Sequence, residues 1–152
     1  MVTFIYSTLH KGKQMAIQFN VATRNARLDA IESTNGTSCS LEIRSGTKPG
    51  TCATATSGGA VLATIDLPSN WMDPANAGAK AIAGTWQDLS ADSTGTASFF
   101  RVYNSQSTKN ETTCFLQGDV AVSGSDMNVS SVSFTTGQSF TINSFTLTDG
   151  NA

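Results

Sequence analysis

Between residues 94 and 147 apolar and hydroxyl-bearing side chains alternate in short segments split by small turns. The series runs from Thr94-Gly-Thr-Ala-Ser-Phe-Phe-Arg-Val-Tyr103 to Gln138-Ser-Phe-Thr-Ile-Asn-Ser-Phe-Thr-Leu147. A period of two gives a sheet one apolar face and one hydroxylated face. The pattern predicts strands over Thr96–Tyr103, Thr112–Val122, Met127–Phe134 and Ser139–Thr148, with turns at Asn104-Ser105, Ser123-Gly124 and Thr136-Gly137. Upstream, Ser40–Arg44 alternates with Leu41 and Ile43 inward, and Ala60–Leu67 puts Val61, Ala63, Ile65 and Leu67 on one face. Ala79–Asp88, with Trp86, reads as a further strand. In the last strand Phe140 and Ile142 fall at even positions but Phe145 and Leu147 at odd ones. That change of parity predicts a bulge near Asn143-Ser144, since one pair would otherwise face water. Phe99-Phe100 sends one ring to each face, so at least one is expected outside the main core, against a helix, an arm or another subunit.

One helix is predicted from about Val21 to Ser33. Asn20 caps it, Val21, Leu28 and Ile31 share a stripe, and Ala22, Ala26 and Ala30 favour it, while Asn35-Gly36 closes it. Arg24 and Arg27 project from another side. Loop 45–59 is low in side-chain bulk and is expected to be mobile or to bind. Loop 68–78 carries Trp71 among turn formers. Residues 1–14 form an N-terminal arm with apolar patches at Phe4, Ile5, Tyr6 and Leu9, followed by one domain over 15–152. Met15 itself reads like a protein start, so the arm is either a dispensable tail or a strand laid on a neighbouring subunit. The expected fold is mainly β: an antiparallel β-sandwich, jelly-roll or immunoglobulin-like, with one short N-terminal helix and an N-terminal arm.

Composition sharpens this. Charged residues make up 13% of the 152, about half the usual share of about 25%. The polar surface must therefore come from Ser, Thr, Asn, Gln and Gly. Nine scattered Lys and Arg and a net charge of −2 provide no footprint for nucleic acid. No run approaches the roughly 20 apolar residues of a membrane span, and the amino terminus lacks the order of a secretory signal, so a soluble chain made in the cytosol is expected.

The chemistry-bearing residues are few. His10 is the only histidine and precedes the predicted domain, so a nucleophile–histidine arrangement is not expected. Asp66, Asp88, Asp92, Asp119 and Asp126 lie on or beside strands, but their spacing selects no pair for glycoside chemistry. Cys39, Cys52 and Cys114 are an odd number for a disulfide framework. Reduced thiols are expected, with a Cys39–Cys52 bridge as the alternative, and no zinc spacing is present. No cofactor is implied. Trp71 and Trp86 are either core residues or flat platforms for a sugar; Trp71, being in a loop, is the better interface anchor. Phe100 joins Phe4, Ile5, Tyr6, Leu9 and Trp71 as the expected interface residues.

Several stretches carry a resemblance: Ala22-Thr-Arg-Asn-Ala-Arg-Leu-Asp-Ala-Ile31, Leu62-Ala-Thr-Ile-Asp-Leu-Pro-Ser-Asn-Trp-Met72, Gly84-Thr-Trp86, Thr94-Gly-Thr-Ala97 with Phe100-Arg-Val-Tyr103, and Gly137 to Ala152. From about residue 15 onward the chain resembles small virion proteins of tailed bacteriophages and prophages, and is similar to capsid decoration (cement) proteins; residues 1–14 depart from that pattern. The resemblance implies a non-enzymatic structural protein on the capsid exterior. Its partners would be the major capsid protein and further copies of itself, as a homodimer or homotrimer. A tail or head–tail joining component and a carbohydrate-binding β-sandwich module are the alternatives.

Overall fold

Asn20 sets the start of the helix. Its backbone is extended and its Oδ1 accepts the Thr23 amide at 2.8 Å, which satisfies one of the donors that a helix start leaves unpaired. α1 runs over Val21–Asn35, two residues past the expected end. It closes at Gly36, where φ is 78° and the amide reaches the Glu32 carbonyl at 2.9 Å. Of the expected apolar stripe only Leu28 is buried; Ile31 is half-buried and Val21 exposed.

The computed structural model describes residues 17–142 and 144–150, and beyond α1 the chain is mainly β. The strands are β1 (Ser40–Arg44), β2 (Val61–Asp66), β3 (Ala79–Ala81), β4 (Trp86–Asp88), β5 (Gly95–Thr96), β6 (Phe99–Tyr103), β7 (Cys114–Ala121), β8 (Met127–Asn128), β9 (Ser133–Phe134), β10 (Phe140–Ile142) and β11 (Thr146–Thr148). A five-stranded sheet has the order β2-β1-β6-β7-β8, and three two-stranded ribbons pair β4 with β10, β3 with β11, and β5 with β9. All pairs are antiparallel except β7–β8, which is parallel through Val120↔Met127 and Ala121↔Asn128. This corrects the expectation of antiparallel pairing throughout.

Four of the expected strands are each two strands, because their halves belong to different sheets. The 79–88 segment turns at Gly84, where φ is 67°, so that β3 meets β11 and β4 meets β10. The parity change in the last strand has the same origin. Phe140, Ile142 and Phe145 all enter the core, and the switch is taken up by a break between β10 and β11 rather than by a bulge within one strand. Asn143 lies outside the described residues.

Leu41, Ile43, Ala63, Ile65, Phe100 and Val102 form the inner face of the large sheet, as the alternation requires, and Trp71, Trp86, Met127 and Phe134 complete one apolar cluster. Gly118 admits β7 to this packing: a Cβ there would sit 2.6 Å from Phe100 Cε1 and 2.9 Å from Asp126 Cβ.

The outer face is also buried, which alternation did not announce. Glu42, Phe99, Arg101 and Tyr103 on that face are all buried, and loop 45–59 lies over Arg101. Arg101 Nη2 donates to the carbonyls of Thr51, Cys52 and Thr54 at 3.2, 2.7 and 3.0 Å, Gln117 Nε2 to Pro49 O at 2.7 Å, and Ser98 Oγ to Gly46 O at 2.6 Å. The loop expected to be mobile or to bind is thus tied down as a cover. A charged donor satisfying three carbonyls is a strong tie, since bonds to ionised groups are about twice as strong as neutral ones.

Candidate functional site

Of the expected interface residues, Phe4, Ile5, Tyr6 and Leu9 lie outside the described residues, as does His10. Trp71 and Phe100 are corrected. Trp71 is 0% exposed, packed against Trp86 at 6.3 Å between ring centroids and against Phe115 at 5.8 Å, with its Nε1 donating to Gly36 O at 3.1 Å. Phe100 is 1% exposed and meets Phe145 edge-on at 5.5 Å. A loop position did not keep Trp71 outside, because a buried indole needs only one acceptor and the end of α1 supplies it. Phe99 is buried too, on the opposite face, within the single chain.

The polar side of α1 makes the most organised constellation. Asn25, Asp29 and Glu32 follow one another at helical spacing and accept the amides of loop 68–78. Asn25 Oδ1 takes Gly78 N at 2.8 Å, Asp29 Oδ1 takes Ala75 N at 2.9 Å, and Glu32 Oε1 takes Trp71 N and Met72 N at 2.9 and 3.1 Å. Lys80, only 2% exposed, places its Nζ 2.8 Å from Asp29 Oδ1, 3.2 Å from Glu32 Oε2 and 2.9 Å from Asp73 O. Burial works against the ammonium, but its bonds to Asp29 and Glu32 prevail and hold the Lys80 pKa above its ordinary value. The bond from Lys80, aided by the Ala75 amide, holds Asp29 below the ordinary carboxylate value. A shallow cleft of about 340 Å³ opens here, lined by Asp29, Glu32, Ser33, Asn70, Met72, Pro74 and Lys80. Every charged group in it is already paired, so its chemistry is that of a brace.

The opposite flank of α1 faces the last strand. Arg24 Nη1 donates to Asp149 O at 2.8 Å, Arg27 pairs with Asp149 at 3.2 Å, and a second cleft of about 250 Å³ is lined by Arg27, Leu28, Ile31, Thr148 and Asp149. The segment entering α1 runs alongside: the Phe19 ring lies under the Arg27 guanidinium at 5.1 Å. Ile17 is 80% exposed, Phe19 42% and Val21 48%, a short apolar run on the surface where the predicted arm joins.

The remaining candidates stay structural. Asp88 accepts Thr64 N and Ser90 N, Asp92 accepts Thr64 Oγ1, and Asp126 accepts Asp119 N, so these carboxylates close turns and edges. On the outer face of the large sheet, Glu42 receives Arg44 Nη1 at 2.6 Å and Tyr103 OH at 3.1 Å, and burial, followed by Glu42, pushes the Tyr103 hydroxyl well above its ordinary value. All three cysteines are free thiols, and Cys52 neighbours Cys114 rather than Cys39. Among the described residues no group of three or more His, Cys, Asp or Glu is arranged to hold a metal ion, and no helix is long and apolar enough to cross a membrane. The brace had a signal in the sequence that the apolar stripe masked: polar residues at 25, 29 and 32, and a single Lys80 set among Ala79, Ala81, Ile82 and Ala83. No protein-family model, curated protein or solved structure matches this chain.

Proposed function

We propose that this protein is a phage capsid decoration (cement) protein: a non-enzymatic, sandwich-like β domain on the capsid exterior that bridges capsomers through the major capsid protein. It acts as a homodimer or homotrimer. The reading begins with the residue resemblance over positions 15–152. The structural observation that supports it most is the exposed apolar run Ile17, Phe19 and Val21, which continues the predicted arm onto the body beside α1. Ile17 and Val21 leave apolar surface in water on either side of Phe19, which packs on Arg27, and a subunit that docks through its arm buries that surface. The well-tied cover over the outer face and the brace on α1 suit a rigid body that binds through many weak contacts repeated over a shell.

Quantitative mass spectrometry of purified virions tests this. On the order of hundreds of copies per particle supports decoration, a dozen or fewer points to the tail or head–tail joint, and absence from virions rules out both. A chain lacking residues 1–14 is expected to bind shells less completely and leave them less resistant to heat and osmotic shock. Unchanged occupancy and resistance count against the arm.

A further inference from the structure

Cys52 in loop 45–59 and Cys114 on β7 have an arrangement that the cement reading does not use. Arg101 and Tyr103 stand on the outer face of β6, and the β6–β7 register sets Cys114 opposite Tyr103, hence on that same face. From above, Arg101 Nη2 fixes the Cys52 carbonyl at 2.7 Å, the shortest of its three bonds to the loop. Cys52 in the loop and Cys114 on β7 are thus drawn to the same guanidinium from opposite sides of the cover, close enough for each to perturb the other, with the Cys114 Sγ donating to Leu116 O at 3.6 Å. Cys39 is elsewhere, at the end of α1, its Sγ donating to Asn35 O and Gly36 O at 3.6 and 3.5 Å.

We propose that Cys52 and Cys114 are a modification site, forming an internal disulfide that locks loop 45–59 onto β7 when the chain meets a small-molecule disulfide. The balance is Cys52–SH plus Cys114–SH plus R–S–S–R giving Cys52–S–S–Cys114 plus two R–SH. Both protein sulfurs are oxidised by one electron each, and the reagent disulfide is reduced by two. The order of steps follows from exposure. Cys52, half-exposed, attacks first and releases one R–SH. Cys114 then attacks the Cys52 sulfur of the mixed disulfide and expels the second. Burial, against the opposing pull of Arg101, holds the Cys114 thiol above its ordinary value, so the buried Cys114 follows the more exposed Cys52 rather than leading. The lock holds the cover already tied to Ser98, Arg101 and Gln117.

The test treats the full chain with oxidised glutathione and measures free thiols after denaturation, intact mass and the cross-linked peptide. Free thiols are expected to fall from three to one, with loss of the mass of two hydrogens and one Cys52–Cys114 peptide, all reversed by reductant. C114S should stop at one glutathione on Cys52, and C39S should behave as the unaltered chain. A glutathione adduct that persists on Cys52 in the unaltered chain overturns the proposal, as does a cross-link containing Cys39. Because the first measurement needs no substitution, it stands even if C114S fails to fold.

Discussion

Glu32 offers the sharpest test of how this protein holds α1. Its Oε1 accepts the amides of Trp71 and Met72 at 2.9 and 3.1 Å, and its Oε2 lies 3.2 Å from the Lys80 ammonium. Truncation by Glu32→Ala strands two amides next to fully buried side chains, at about 1–3 kcal/mol each. It also leaves a 2% exposed ammonium with one carboxylate instead of two. Water reaches the 18% exposed Glu32 side chain and relieves part of this. The expected loss is about 3–5 kcal/mol, a large part of the ~5–15 kcal/mol that stabilises a typical domain. Glu32→Gln keeps an acceptor for the amides and loses only the charge, so its expected loss is smaller, about 1–2 kcal/mol. Urea unfolding followed by tryptophan fluorescence reads both, since Trp71 is held by Glu32 and Trp86 packs on Trp71. A Glu32→Ala loss below about 1 kcal/mol would show that loop 68–78 does not depend on α1, and the brace as described would be refuted.

Three other outcomes follow from the packing and the charges. Gly118→Ala pushes a methyl against Phe100 and Asp126, and overpacking of this kind costs about 1–3 kcal/mol; a urea midpoint equal to that of the parent would contradict it. Trp71→Ala removes a buried indole and should lower stability by about 3–5 kcal/mol, seen as an early thermal transition, whereas a fully folded variant that had lost only sugar binding would revive the carbohydrate-module reading. The coupling between Asp29 and Lys80, measured with D29N, K80M and the double variant, has a definite pH window. Asp29 is lowered in the folded chain, so its contribution is present above the ordinary carboxylate value and disappears as pH falls through the folded one. Lys80 is raised, so its contribution is complete below the ordinary lysine value and is lost as pH rises through the folded one. Unfolding free energies measured from neutral pH down through the folded Asp29 titration should show the coupling at neutral pH and its loss once Asp29 is protonated in the folded chain; coupling that did not change across that titration would exclude the ion pair.

Local signals were enough for α1, whose cap, alanines and closing Gly36 are all carried by neighbouring residues, and for the inward faces of β1 and β6, which need only a period of two. They also located the trouble at the end of the chain, where the parity of Phe140, Ile142 and Phe145 changes. Its resolution as two strands in two ribbons depends on β4 and β3, more than fifty residues upstream, and no local pattern encodes that distance. The same holds for the sites. Trp71 is flanked by turn formers, which mark a loop but not its depth; its burial follows from acceptors on α1. Lys80 and Arg101 have surface-type side chains inside because backbone carbonyls and carboxylates from distant segments converge on them.

The sequence by itself determined the mainly β character, the capped helix α1 and the composition of a sparsely charged, hydroxyl-rich surface, since each depends on residues a few positions apart. Only the tertiary structure decided that loop 45–59 closes over the outer face of the sheet, that α1 braces loop 68–78 and that Cys52 neighbours Cys114. Those outcomes depend on which distant donors and acceptors meet, and pairing across space leaves no periodicity in the chain.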